Sequence, residues 1–315
     1  MNIKGKPTGT YRGHYLSHLH DECEEGLAAK EAFAAHYGKY TLPAGMTVED
    51  RTIDGQSGGA DKVLIRIFRP QSETPLPMIL DIHGGGWTAG TVDNDNFRCT
   101  EIAKRVPAIV VSLNYTLSDG REHHFPAPLI DCRCAYMWLY EHGKEIGGDP
   151  TRLGLHGSSA GGNIAGGLAL WLRDHNGPRC SLAVLNCPCL YPDFRETSAY
   201  HQNYELRLGS DEYAESAEVA YLGGMDGGTP SYYAFPGLCP DLHGLCPHYL
   251  IAAEYDTLRD DSVRYVQRLL TTGVQTDFQL AARACHCFSG VEQHPYTDLT
   301  HDMIAYSFRR EFGME

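Results

Sequence analysis

The chain has 315 residues, and its 40 acidic and 26 basic side chains give a formal net charge of −14 at pH 7. A length of this order suits one large α/β core, so we expect a single domain over residues 1–315. The excess of negative charge argues against nucleic acid or an anionic membrane surface as the partner. The expected partner is a small-molecule substrate.

The ends and the cysteines of the chain bear on where it works. The N-terminal stretch "MNIKGKPTGTYRGHYLSHLHDE" has no apolar run followed by a small-residue cleavage site, and no later run is long enough to span a bilayer. Most of the eleven cysteines lie in apolar contexts, where free thiols behave as small hydrophobes, and the Cys-x-Cys pairs are weak metal signals. We expect a cytoplasmic protein with no disulfide framework, no metal and no cofactor.

Strand-like and helix-like segments alternate along most of the chain. Short runs rich in Val, Ile and Leu are typical of strands buried on both faces of a parallel sheet. The predicted strands are 62–70, 77–82, 107–115, 152–157, 181–190, 248–255 and 275–282, and the predicted helices are 128–143, 160–175, 262–273 and one around 302–312. This order predicts an α/β fold with a mostly parallel central sheet flanked by helices. Residues 192–243, rich in Tyr, Gly, Pro and acids, interrupt the rhythm and indicate an insertion over the sheet.

The stretch "LHGSSAGG" (155–162) presents two adjacent serines between a predicted strand and a predicted helix. Only Ser159 has glycines at both flanking positions of a Gly-x-Ser-x-Gly frame, namely Gly157 and Gly161. A sharp strand-to-helix turn of this kind exposes the central hydroxyl at a helix N-terminus. Ser159 is therefore the candidate nucleophile, although a flexible turn or a helix N-cap would use the same residues.

A second motif, "LDIHGGGWTAG" (80–90), places three consecutive glycines directly after a buried strand. Such a loop leaves backbone N–H groups free to stabilise an oxyanion. The candidate donors are the N–H groups of Gly85 and Gly86, with that of Ala160 as the third. A phosphate-binding loop is the alternative, but the Lys-Ser/Thr ending of that motif is missing.

These motifs, with "GGDPTRLGLHGSSAGGNIA" and "LIAAEYDTLRDD" in the same order, resemble the hormone-sensitive-lipase-like esterases, called bacterial family IV, of the α/β-hydrolase fold. The resemblance covers roughly residues 60–312. The chain departs from it at several positions, among them Ser158, where the family commonly has Asp, and Cys287, where it commonly has Gly. No departure removes a side chain of the expected catalytic triad.

A serine nucleophile needs a histidine base and a carboxylate that orients the base, in the chain order Ser, acid, His. Asp256 follows the strand at 248–255, whereas Asp260 and Asp261 resemble first-turn acids of the next helix. His286 follows the last predicted strand, whereas His294 and His301 come too late. The expected triad is Ser159, Asp256 and His286.

The resemblance implies a serine carboxylesterase that hydrolyses short to medium acyl esters and needs neither metal nor cofactor. It also implies a small cap built from residues 1–45 and about 192–243, and a homodimer as the family expectation. The candidate substrate-binding residues are Trp87, Tyr191 and Tyr200. An amide or formamide hydrolase with the same triad remains an alternative, as does a non-catalytic ligand receptor of this fold.

Overall fold

The structure, a computed structural model, describes residues 42–204, 211–224, 229–290 and 296–314, without the side chains of 211–213. The N-terminal part of the predicted cap, residues 1–41, lies outside the described residues. None of the helices in the described ranges combines the length and the apolar character needed to cross a membrane.

The described residues form one eight-stranded sheet with the order β1-β2-β4-β3-β5-β6-β7-β8. Strands β1 and β2 pair antiparallel, as do β2 and β4, and every other pair is parallel. The strands are β1 Met46–Asp54, β2 Lys62–Pro70, β3 Leu76–Ile82, β4 Ile109–Asn114, β5 Gly148–Ser158, β6 Cys180–Asn186, β7 His248–Ala253 and β8 Thr276–Ala281. The predicted α/β architecture is confirmed.

Helices cover both faces of the sheet. The helices of the described residues are α1 Asn96–Arg105, α2 Ala127–His142, α3 Ala160–Asp174, α4 Ser198–Gln202, α5 Asp211–Leu222, α6 Arg259–Thr271 and α7 Thr297–Glu311. Alternate side chains of β3 enter opposite layers, because successive side chains of a strand point to opposite faces. Leu80 and Ile82 join the larger core with α2, α3 and α6, whereas Ile79 packs in the second core with α1 and α7.

One strand and three helices of the described residues were missing from the sequence prediction: β1, α1, and the helices α4 and α5 of the insertion. Strand β1 alternates polar and apolar residues and is mostly exposed, because it lies at the edge of the sheet and pairs on one side alone. Helix α1 has little apolar sequence, and its buried positions include Arg98 and Thr100. Pattern-based reading finds buried apolar faces best, and neither element presents a continuous one.

A buried polar cluster lies between the start of helix α1 and strands β3 and β5. We call it the Asp81 cluster, and it consists of Asp81, Asp95, Arg98 and His156. All four residues are at most 5% exposed. His156 Nδ1 lies 2.6 Å from Asp81 Oδ1, and Arg98 lies between the two carboxyl groups, in contact with Asp95 and 3.6 Å from Asp81. Burial opposes the ionisation of Asp81, but Arg98 and His156 hold its pKa below the usual value.

Burial has the opposite result at Asp95, whose pKa it raises to about 8 despite the attraction of Arg98. The negative charge of Asp81 adds to this shift. One buried guanidinium balances one carboxylate, so at pH 7 the cluster holds Asp81 ionised and Asp95 protonated. This assignment leaves the interior close to neutral, which limits the cost of burying charge.

The raised pKa of Asp95 predicts a pH-dependent stability. The folded state keeps a proton on Asp95 that the unfolded state releases above its usual pKa of 3.8, so this contribution falls as the pH rises from about 4 to about 8. Asn cannot titrate at this position. We therefore expect the free energy of unfolding of Asp95→Asn, measured in urea, to rise relative to that of the wild type as the pH is raised from 5 to 8.

The exposed Asp50 of β1 supplies the control, since its hydrogen bond with Arg66 holds the pKa of its carboxyl below the usual value. Asp50→Asn should change the free energy of unfolding by a similar amount at both pH values. A pH-independent difference between Asp95→Asn and the wild type would contradict the assignment.

Candidate active site

Ser159 lies at the junction of β5 and α3 in a strained backbone conformation, with φ 57° and ψ −122°. The strand and helix approach so closely that a Cβ on Gly157 would lie 2.3 Å from the carbonyl oxygen of Gly161. Glycine is therefore required at this crossing. The turn leaves Ser159 partly exposed, whereas the adjacent Ser158 is 2% exposed within the strand.

The predicted serine, histidine and aspartate form one hydrogen-bonded chain. His286 Nε2 lies 2.8 Å from Ser159 Oγ, and His286 Nδ1 lies 2.7 Å from Asp256 Oδ2. These residues follow β5, β7 and β8, which all belong to the parallel part of the sheet, with β6 between β5 and β7. Parallel strands bring their carboxyl ends to one edge, so residues far apart in sequence meet there.

Backbone contacts hold the Asp256 carboxylate in place. Its Oδ1 accepts a hydrogen bond of 2.9 Å from the N–H of Leu258, which leaves Oδ2 for His286. The Asn203 amide donates to the backbone carbonyl of Asp256 at 3.1 Å, so the insertion after β6 also supports this loop. Burial disfavours a charged His286, but the Asp256 carboxylate and the adjacent Cys287 together outweigh it and raise the pKa of His286.

The glycine loop after β3 lies against Ser159. A Cβ on Gly84 would be 3.2 Å from the Cβ of Ser159, and the next two residues, Gly85 and Gly86, have φ of 124° and 57°. These left-handed conformations favour glycine and turn the backbone of the loop. The N–H of Ala160 belongs to the first turn of α3, where backbone donors have no partner within the helix.

His83 braces this loop. Burial lowers the pKa of His83 to about 4, so its neutral ring donates from Nδ1 to the carbonyl oxygen of Gly84 at 2.7 Å. The ring of Tyr115 stacks on it with centroids 4.2 Å apart, and the Tyr115 hydroxyl donates to the carbonyl oxygen of His83 at 3.1 Å. These contacts fix the position of His83 and of the backbone at Gly84.

The three candidate substrate-binding residues are each 5% exposed. Trp87 stacks on Tyr221 of α5 with centroids 4.5 Å apart and donates to Asn163 at 3.1 Å. Tyr191 lies under the guanidinium of Arg264, and Tyr200 of α4 packs edge-on against Phe194. These contacts are with the protein itself, so a role in substrate binding stays a prediction.

The other acids and histidines considered from the sequence lie apart from Ser159. Asp260 accepts hydrogen bonds from the hydroxyl of Ser198 and the N–H of Ala199, at the start of α4. Asp261 accepts from the N–H groups of Leu190 and Tyr191. His301 is buried in α7 with its ring edge-on to Phe97, and His294 lies outside the described residues.

Sequence reasoning missed the supports beneath the site. Asp81 precedes the glycine loop by two residues and His156 precedes Ser159 by three, so the Asp81 cluster lies under both. The sequence feature that could have revealed this cluster is the single carboxylate, Asp81, in the apolar run "PMILDI". Reasoning from sequence also missed the approach of Cys187, which follows β6, to Cys287 beside His286, because these residues are far apart in the chain.

The fold and the arrangement of the site recur in known proteins. A family model described as the alpha/beta hydrolase fold matches residues 79–290. Esterase LipI of Mycobacterium tuberculosis is 32% identical over 248 residues, which cover 78% of this chain and 76% of that protein. Carboxylesterase NlhH of the same species is 33% identical over 237 residues, covering 74% and 72%.

Solved structures agree with these relatives. A bacterial heroin esterase superposes with a TM-score of 0.81 at 28% identity, covering 91% of this chain and 90% of its own. Esterase LipW from Mycobacterium marinum superposes with a TM-score of 0.78 at 32% identity, covering 92% and 91%. The chain therefore belongs to the hormone-sensitive-lipase-like esterases, carboxylic ester hydrolases with the α/β-hydrolase fold.

Proposed function

We propose that this esterase hydrolyses short to medium acyl esters through an acyl-enzyme on Ser159, with His286 as the base and Asp256 as the orienting carboxylate. The observation that supports this most directly is the hydrogen-bonded chain of Ser159, His286 and Asp256, with contacts of 2.8 and 2.7 Å. Distances of this size permit proton transfer without rearrangement of the side chains.

The reaction has two halves. His286 Nε2 takes the proton of Ser159 as Oγ attacks the ester carbonyl carbon, and then returns it to the departing alcohol. A water then attacks the acyl-enzyme while His286 accepts its proton, and Ser159 is released with the proton back on Oγ. Asp256 holds the Nδ1–H tautomer and stabilises the imidazolium in both halves.

The N–H groups of Gly85, Gly86 and Ala160 are the proposed donors to the oxyanion of each tetrahedral intermediate. Their proposed role is supported by the close approach of Gly84 to Ser159 and by the position of Ala160 at the start of α3. The loss of one such donor typically costs about 3–4 kcal/mol of transition-state stabilisation.

The aromatic packing of the insertion supports a preference for short acyl groups. Asn163 lies one turn of α3 beyond Ser159, and its side chain accepts the hydrogen bond of Trp87. The ring of Tyr221 stacks on that of Trp87. A depression of about 410 Å³ is lined by residues that include Thr88 and Ala220, the chain neighbours of Trp87 and Tyr221. Another, of about 590 Å³, lies beside Gly148 at the opposite end of β5, and none of the triad residues lines either depression.

Replacement of each adjacent serine in turn tests the nucleophile. We expect Ser159→Ala to lower kcat for p-nitrophenyl acetate by about 10⁶-fold, as in other serine hydrolases that lose the nucleophile. Ser158→Ala removes a hydroxyl from the buried end of β5 and should change kcat by less than about tenfold, or 1.4 kcal/mol. Equal losses in the two variants would overturn the assignment of Ser159.

The chain-length preference is measured with p-nitrophenyl esters from acetyl to dodecanoyl, alongside anilides of the same acyl groups. We expect the highest kcat/KM at the short end of the ester series. A maximum at dodecanoyl would contradict the short-acyl assignment. Faster cleavage of anilides than of esters would favour an amide hydrolase with the same triad.

The orienting carboxylate has a matched control four residues away. We expect Asp256→Asn to lower kcat by about 10⁴-fold, because the amide favours the wrong tautomer of His286. Asp260→Asn alters the contact with α4 and leaves the contact to His286 intact, so kcat should fall by less than about tenfold. Circular dichroism checks that both variants are folded, and a larger loss in Asp260→Asn would reverse the two roles.

A further inference from the structure

Two thiols lie beside the proposed base. Cys187 follows β6 and is 1% exposed, and Cys287, next to His286 in the chain, is half-buried. The N–H of Cys287 donates to the Sγ of Cys187 at 3.4 Å. The two Sγ atoms and one ring nitrogen of His286 all lie within 4.8 Å of one another.

Donors of this kind and spacing suit a thiophilic cation. Two thiolates and an imidazole form a common ligand set for zinc, with Zn–S bonds near 2.3 Å and Zn–N bonds near 2.0 Å. Tetrahedral coordination at those bond lengths places ligand atoms about 3.5 Å apart, so modest side-chain movements close the site. Two thiolates also balance the charge of a divalent cation, which permits burial.

The backbone at Cys287 brings its side chain to this point. Cys287 has a φ of 53°, in the left-handed region that favours glycine, and the chain carries a thiol there nevertheless. The guanidinium of Arg98 is a positive charge near Cys287, and the Asp81 carboxylate offsets it.

We propose that Cys187, Cys287 and His286 form a binding site for a soft divalent cation such as Zn²⁺. Each thiol loses its proton to solvent as its sulfur binds the metal, and a water completes the coordination. The cation binds one ring nitrogen of His286. In the metal-free protein Nδ1 is hydrogen-bonded to Asp256 and Nε2 to Ser159. Occupancy therefore breaks the triad, so the metal inhibits the enzyme; this consequence rests on the proposed function.

Binding is tested without any substrate. Isothermal titration with Zn²⁺, and the absorption spectrum with Co²⁺ as a probe for thiolate ligands, should show one cation per chain in the reduced wild type. Cys187→Ala and Cys287→Gly should each weaken binding by at least about 100-fold and remove the thiolate-to-cobalt bands. Cys285→Ala is the matched control, because Cys285 lies in the same loop outside the three-residue set and should bind as the wild type does.

Glycine suits the left-handed backbone at Cys287, and thermal unfolding confirms that each variant is folded. Absent or multiple weak binding in the wild type would overturn the proposal, as would unchanged affinity in both ligand variants.

Activity is measured next, with each variant compared with its own metal-free rate. One equivalent of Zn²⁺ should inhibit the wild type and Cys285→Ala, and a chelator should restore the rate. Cys187→Ala and Cys287→Gly should resist the metal. Inhibition reversed by a reductant and not by a chelator would indicate a Cys187–Cys287 disulfide and overturn the metal site. An inactive wild type that still gives the cobalt spectrum would refute the proposed function and leave the metal site standing.

Discussion

The close crossing of β5, β3 and α3 is the constraint on which the site depends. A Cβ on Gly161 would lie 2.0 Å from the carbonyl oxygen of Ile82, and a Cβ on Gly157 would lie 2.3 Å from the carbonyl oxygen of Gly161. The end of β3 therefore packs directly on the first turn of α3. This contact sets the glycine loop and Ser159 at one fixed distance, so the proposed nucleophile and oxyanion donors are positioned by backbone packing rather than by flexible side chains.

A buried pair of polar side chains lies beneath that crossing. Asp81 and His156 occupy neighbouring positions on β3 and β5, and their side chains enter the layer with α1, whereas Leu80 and Leu155 enter the opposite core. The fold thus carries a buried carboxylate hydrogen-bonded to an imidazole, whose pKa burial lowers, under the two strand ends that bear the site. Such a pair is costly to bury and contributes little net stability, so its effect is on the alignment of the two strands.

The loop of His286 brings two kinds of contact together. The His286 ring is hydrogen-bonded to Ser159 and Asp256, whose catalytic roles stay a prediction. The thiol of Cys287 lies close to Cys187, on a left-handed backbone that favours glycine. A proposed base with two soft ligands at its side combines hydrolytic chemistry and metal affinity in one small volume.

The sequence by itself determined the alternating strands and helices and the candidate residues of the site. Their signals are local: apolar periodicity, a Gly-x-Ser-x-Gly turn, a triple glycine, and an acid and a histidine at strand ends. The tertiary structure alone decided which distant residues meet, including Asp81 with His156 and Cys187 with Cys287. It also buried the aromatic candidates Trp87, Tyr191 and Tyr200 among protein contacts. Sequence spacing carries no information on these contacts, because the order of strands in the sheet sets them and differs from their order in the chain.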